Sequence, residues 1–203
     1  DALVNHSTSN AFAEDLIYIG DCIHFGDAPD VPFTHRGRVQ SFEDLVRVSS
    51  VWRSGGHIDQ PAVLFPLDLA LRVGGVNVAN YYTMDYELWD QFLLAGARIH
   101  YTGIPFGCFR WHDGQKTQAN IIKQTESMLD AATSFLDKAN CLSAATKQEI
   151  MAELQTYRET YPKELWKNSG RLARIGLPSS IVEPIRKLRV TVEETIRNGL
   201  KAL

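Results

Sequence analysis

The sequence predicts a mixed α/β fold over residues 1–118 and an all-helical region over residues 119–203. Two observations predict the first part: short runs of Leu, Ile, Val, Tyr and Phe recur between Gly, Pro and Asp clusters, and segments of helical period with caps lie between them. A third predicts the second part. From about Thr117 the composition shifts to Ala, Glu, Lys, Gln and Leu without strand-forming clusters. With 203 residues and 44% apolar content, the chain can bury a core of one domain with an appendage.

Taken in order, Asp15–Phe25 (DLIYIGDCIHF) concentrates apolar and aromatic residues, broken by Gly20 and followed by the turn-rich GDAPDVP, and reads as a buried strand ending in a loop. Phe42–Val51 has the apolar spacing of a short helix. Ser41 is its N-cap, Glu43 and Asp44 fall where the helix dipole favours acids, and Gly55-Gly56 stops it. Ala62–Phe65 reads as a strand and Leu67–Val73 as a helical turn closed by Gly74 and Gly75. Met84–Ala95 is helical, with Leu88, Phe92 and Ala95 on one face and Gly96 at its end. Ala97–Thr102 and Phe106–Arg110 read as two strands around a turn at Gly103–Pro105. Helices are then expected near 118–139, 143–161 and 163–175, with Pro162 as the break, and a last one from Ser180 with Glu183 in a capping box.

Composition excludes several classes. No run of eighteen apolar residues is present, and the start lacks the basic-then-apolar pattern of a signal peptide, so a cytoplasmic protein is expected. Cys22, Cys108 and Cys141 are too scattered for a zinc knuckle or a disulfide framework and are expected to be buried free thiols. The six histidines at 6, 24, 35, 57, 100 and 112 show no ligand spacing such as His-x-x-x-His, which ranks a metal-dependent hydrolase last. Charge is unevenly spread: residues 1–162 carry 12 Lys and Arg against 20 Asp and Glu, residues 163–203 carry 9 against 4. An acidic front and a basic tail with few aromatics argue against nucleic acid as a partner. In the tail, Ile181, Ile185, Leu188, Val192 and Ile196 recur at helical spacing among Arg186, Lys187, Arg189, Arg197 and Lys201. Such a helix suits peripheral contact with an anionic membrane at its inner face, or docking on the chain itself or on a second copy as a homodimer.

The chemistry-bearing stretch runs from Gln60 to Thr117. Its segments QPAVLFPLDLALRVGGVN (Gln60–Asn77), YYTMDYELWDQFLLAGARIHY (Tyr81–Tyr101) and FRWHDGQKT (Phe109–Thr117), in this order and spacing, resemble the family 2 glycosyltransferases of the GT-A fold. DLIYIGDC is similar to the strand that follows that family's metal-binding Asp-x-Asp. The resemblance covers roughly residues 1–118 and implies a partial GT-A-like mixed sheet with a helical extension. It also implies inverting transfer of a sugar from a nucleotide-sugar donor to a hydroxyl of a carbohydrate or lipid-linked acceptor, as in bacterial-type polysaccharide or glycolipid synthesis. By the resemblance Asp85 is the catalytic base, Gln60, Asp21, Trp89 and Arg110 contact substrate, and His112 and Asp1 hold a divalent cation, Mn²⁺ or Mg²⁺, on the donor diphosphate.

The residues themselves bear on these roles. Inverting transfer needs a carboxylate to take the proton of the attacking hydroxyl, and Asp85 stands in the first turn of a helix after a Gly-Gly loop; Asp in that place also serves as a plain cap. Trp89 lies one turn further on the same face, where an indole either stacks on a sugar or packs inward. Arg110 and His112 project to one side if the strand continues. Two features depart from the family pattern: the nucleotide-binding βαβ portion that should precede Asp1 is not in the sequence, and Pro66-Leu67 stands where relatives carry basic residues. The isolated chain is therefore expected to be inactive, and the second reading is a non-catalytic binding or scaffold module derived from such an enzyme.

Overall fold

β1 (Leu16–Gly26) is the strand on which the others assemble, and its alternation of buried Ile17, Ile19 and Cys22 follows from the apolar run that the sequence places there. The computed structural model describes residues 15–27, 31–112 and 121–174. β2 (Phe33–His35) pairs antiparallel with β1 near its end, bringing His35 opposite Cys22 and Phe33 opposite His24. β3 (Val63–Leu64) pairs antiparallel nearer its start, and β4 (Arg98–Trp111) runs parallel to it along its whole length. The sheet is therefore mixed, in a mixed α/β fold.

Between β2 and β4 the chain supplies helices. α1 (Phe42–Val46) is capped as expected, Ser41 accepting the Asp44 backbone N–H at 3.1 Å. It leads into a wide π-helical segment, Val48–Gly56, which ends where Gly55 turns to φ +85°. After a 3₁₀ turn (Gln60–Ala62) come α2 (Leu67–Arg72) and α3 (Met84–Leu94). Both close in the same way: the N–H groups of Gly74 and Gly75, and of Gly96 and Ala97, bond back to the last turn of their helix.

Three expectations are corrected. The two strands around Gly103–Pro105 are one: β4 runs through that stretch, and its register against β1 shifts between Ile19↔Tyr101 and Cys22↔Gly107, so the extra residues are taken up as bulges. Gly20 does not break β1 but makes room there, because a Cβ on it would lie 2.3 Å from Cγ of Phe106 and 2.6 Å from the carbonyl oxygen of Ile104. Pro162 does not divide the tail; it sits inside α5 (Ala144–Arg174), which continues past it after the loss of one backbone donor.

α4 (Ile121–Lys138) and α5 form a hairpin whose Leu129, Ala132, Leu136, Ile150, Leu154 and Tyr161 are buried. These side chains belong to one core with Ile17, Leu45, Tyr86 and Phe92. Polar contacts reinforce the junction: Arg47 reaches Glu149 and Glu153, and Glu153 also accepts from the hydroxyls of Ser49 and Ser50. Burial acts to raise the Glu153 pKa, but those bonds outweigh it and hold the carboxyl below its ordinary range. Among the described residues no helix is long and apolar enough to cross a membrane. The basic segment from Ile181 onward lies outside the described residues.

Candidate functional site

Asp85 occupies the first turn of α3, half-buried, with Oδ1 accepting the Tyr86 backbone N–H at 2.9 Å. The chain reaches it through a loop tied by Asn80, whose side-chain oxygen accepts from the Thr83 N–H and from the hydroxyl of Ser127 on α4. A cleft of about 930 Å³ opens between this loop with α3 and α4, lined on this side by Asn77, Asn80, Tyr81, Tyr82, Glu87 and Gln91; Asp85 itself is not among its lining residues. Tyr82 and Glu87 thus flank Asp85 in sequence and face the cleft. The amide of Asn77 donates to Glu87 at 2.9 Å, which fixes that carboxylate at the rim.

The other expected residues distribute as follows. Trp89 is 2% exposed, edge-on to Phe65 and tilted against Phe92, so its indole is core and offers no face to a sugar. Asp21 is also buried, and both its oxygens are held by Arg36 in a two-pronged ion pair at 2.8 and 2.7 Å. That bond keeps its carboxyl below the ordinary range against the opposing effect of burial. Asp21 is engaged in joining β1 to the chain after β2. Gln60 is exposed at the start of the 3₁₀ turn, Arg110 is exposed on β4, and His112 is exposed one residue beyond the end of β4. Asp1 lies outside the described residues. Of the three cysteines only Cys22 is buried; Cys108 and Cys141 are exposed, because β4 turns one face outward and Cys141 sits in the α4–α5 turn.

A second constellation, invisible in the spacing, stands at the end of β1. Asp59, just before the 3₁₀ turn, is met by three imidazoles. His35 Nδ1 lies 2.5 Å from Oδ2, His24 Nε2 lies 3.2 Å from Oδ1, and His57 Nε2 lies 3.5 Å from Oδ1. His35 and His57 stack with ring centroids 4.0 Å apart, while His24 stands edge-on to His35 and is walled in by Phe33, Phe109 and Trp111. Burial pushes the Asp59 carboxyl up, but hydrogen bonds from His35 and His57 and their charge win, and the net shift is strongly downward. The same bond to Asp59 raises the His35 pKa. Two groups here bring three donor atoms within 4.8 Å of one another: Cys22, His24 and Asp59, and His35, His57 and Asp59. His112 is in neither group.

The two places are joined by aromatic contacts. Tyr86, next to Asp85, stands edge-on to Trp52 at 5.0 Å, and Trp52 in turn lies 6.1 Å from the His57 ring. Tyr86 is itself held by its hydroxyl, which donates to the Leu45 carbonyl at 2.9 Å. Compared with protein-family models, curated proteins and solved structures, the chain matches none.

Proposed function

We propose that this chain forms the acceptor side of an inverting glycosyltransferase, in which Asp85 takes the proton of an acceptor hydroxyl as its oxygen attacks the anomeric carbon of a nucleotide-sugar donor. One observation carries the reading: Asp85 is half-buried in the first turn of α3, and its neighbours in sequence Tyr82 and Glu87 line an open cleft whose wall on this side is made of amides, carboxylate and tyrosine. Sugars are bound by such walls, hydroxyls pairing with amides and carboxylates while C–H faces lie on aromatic rings. Tyr81, largely exposed and edge-on to Tyr82, offers such a ring. In the reaction the new C–O bond forms as the bond to the diphosphate breaks; the proton goes to Asp85 and the electron pair to the leaving diphosphate.

The donor's diphosphate calls for compensating charge, from exposed Arg110 at the end of β4 and from a Mn²⁺ or Mg²⁺ ion with His112 and Asp1 as its expected ligands. Among the described residues His112 joins no three-donor group. A lipid-linked acceptor would give the basic C-terminal segment a purpose at a membrane surface.

Asp85→Asn tests the reading in the full-length product of the reading frame. The variant keeps the size of the side chain but not its basicity, so turnover should fall by about 100-fold or more with donor affinity unchanged. Turnover within threefold of the parent removes Asp85 from the mechanism. Specific acceptor binding without any transfer would instead favour a non-catalytic binding module.

A further inference from the structure

The surroundings of Asp59 fix which nitrogen of His24 and of His35 carries a hydrogen in the neutral ring. Trp111 Nε1 can only donate, and it does so to His24 Nδ1 at 3.0 Å. Neutral His24 therefore carries its own hydrogen on Nε2, turned toward Asp59 Oδ1. That N–H lies 3.2 Å from the oxygen without forming a hydrogen bond to it, and the ring has no lone pair left for a metal.

His35 is set the other way. Its Nε2 lies 3.1 Å from the Gly55 carbonyl oxygen, an acceptor only, so Nε2 carries a hydrogen, and in the neutral ring Nδ1 presents a lone pair to Asp59 Oδ2 at 2.5 Å. A lone pair and a carboxylate oxygen do not face each other at that distance unless a proton or a metal ion lies between them. A ring N–H anchored on a backbone carbonyl is also how metal-ligating histidines are oriented. His57, stacked on His35, brings Nε2 to the other oxygen of the same carboxylate. A single proton on His35 Nδ1 satisfies that contact without an ion; a divalent ion would take its place and hold both rings as neutral ligands.

We propose that His35 Nδ1, His57 Nε2 and the Asp59 carboxylate form a binding site for a divalent transition-metal ion, zinc before others, with its fourth position open to water. Bonds of about 2.0–2.2 Å around a tetrahedral ion separate neighbouring ligand atoms by roughly 3.3–3.5 Å. The 3.5 Å between His57 and Asp59 already fits, the His35–Asp59 contact opens by under about 1 Å to admit the ion, and the stacked His35 and His57 rings must tilt apart for both lone pairs to meet it. Two imidazole nitrogens favour zinc over Mg²⁺, which prefers oxygen ligands. His57 is about one-third exposed, so the open position is reached from solvent. The site ties β2, the end of the π-helical segment and the 3₁₀ turn together. It uses neither His112 nor Asp1 and does not rest on the sugar-transfer reading.

The test uses the untagged 203-residue chain, stripped with a chelator and titrated with Zn²⁺ by calorimetry and with Co²⁺ by visible absorption. One equivalent of Zn²⁺ should bind, Co²⁺ should give the intense bands of a four-coordinate site, and Co²⁺ should quench the fluorescence of Trp52 beside His57. His57→Gln, at a partly exposed position, and Asp59→Asn should each weaken Zn²⁺ at least tenfold, with circular dichroism reporting that the fold is kept. His112→Gln should leave affinity unchanged. No saturable binding by the folded chain overturns the proposal, as does Zn²⁺ affinity that survives both site substitutions. Loss of affinity on His112→Gln alone overturns it too.

Discussion

Asp90 is fully buried on α3, and neither of its carboxylate oxygens has a hydrogen-bond partner among the described residues. Burial, with the charge of Glu87 adding to it, pushes its pKa well above the ordinary carboxylate range, which favours the neutral acid in the folded chain. The folded state holds a proton that the unfolded state releases near pH 4, so Asp90 costs stability progressively as pH rises above that value. Asp90→Leu should raise stability at pH 7 by about 1–3 kcal/mol and flatten its decline between pH 4 and 7, measured by urea unfolding across that range. A variant less stable than the parent at pH 7 would mean that the carboxyl has a favourable partner. Neither Asp90 nor the fate of Trp89 was legible in the sequence, because the helical periodicity marks one apolar face for α3. The folded helix packs against α1, α2 and α4, which buries Tyr86, Leu88, Trp89, Asp90 and Phe92 together. Asp85 was legible, since its place in a first turn after a glycine loop is a local property.

At the scale of elements, β1 and β4 form a long parallel pair that depends on one close approach. Gly20→Ala would push a methyl group against Phe106 and against the Ile104 carbonyl, a backbone atom that cannot swing away. The cost should be about 1–3 kcal/mol in unfolding free energy, the range for an overpacked interior, and a loss below about 0.5 kcal/mol would show that the bulge relaxes freely. Local chemistry made much of this level readable: Ser41 capping α1, and the glycines closing α2 and α3, act within a few residues of where they stand. The continuity of β4 was not readable. Gly103 and Pro105 are turn-forming residues, and only pairing with the whole of β1 keeps the strand going through them as bulges. Pro162 misled in the same way: a helix interior loses a bond at proline, yet α5 is held by Ile150, Leu154 and Tyr161 against α4 and carries on.

For the molecule as a whole, the helical hairpin and the mixed sheet share one core rather than standing apart, with Arg47 and Glu153 bridging them at the surface. The change of composition near Thr117 revealed the helices but not where they would dock. The histidine cluster shows the same limit. His24, His35 and His57 are eleven or more residues apart and fit no ligand spacing; the antiparallel pairing of β2 with β1 and the return of the chain at Asp59 bring them together. Sugar transfer with inversion is followed by proton NMR of the anomeric centre during reaction of the full-length protein with a nucleotide sugar and a hydroxyl acceptor. The product should first appear with the anomeric configuration opposite to that of the donor, and Asp85→Asn should suppress its formation. Retention of configuration, or release of free sugar without transfer, would contradict the account.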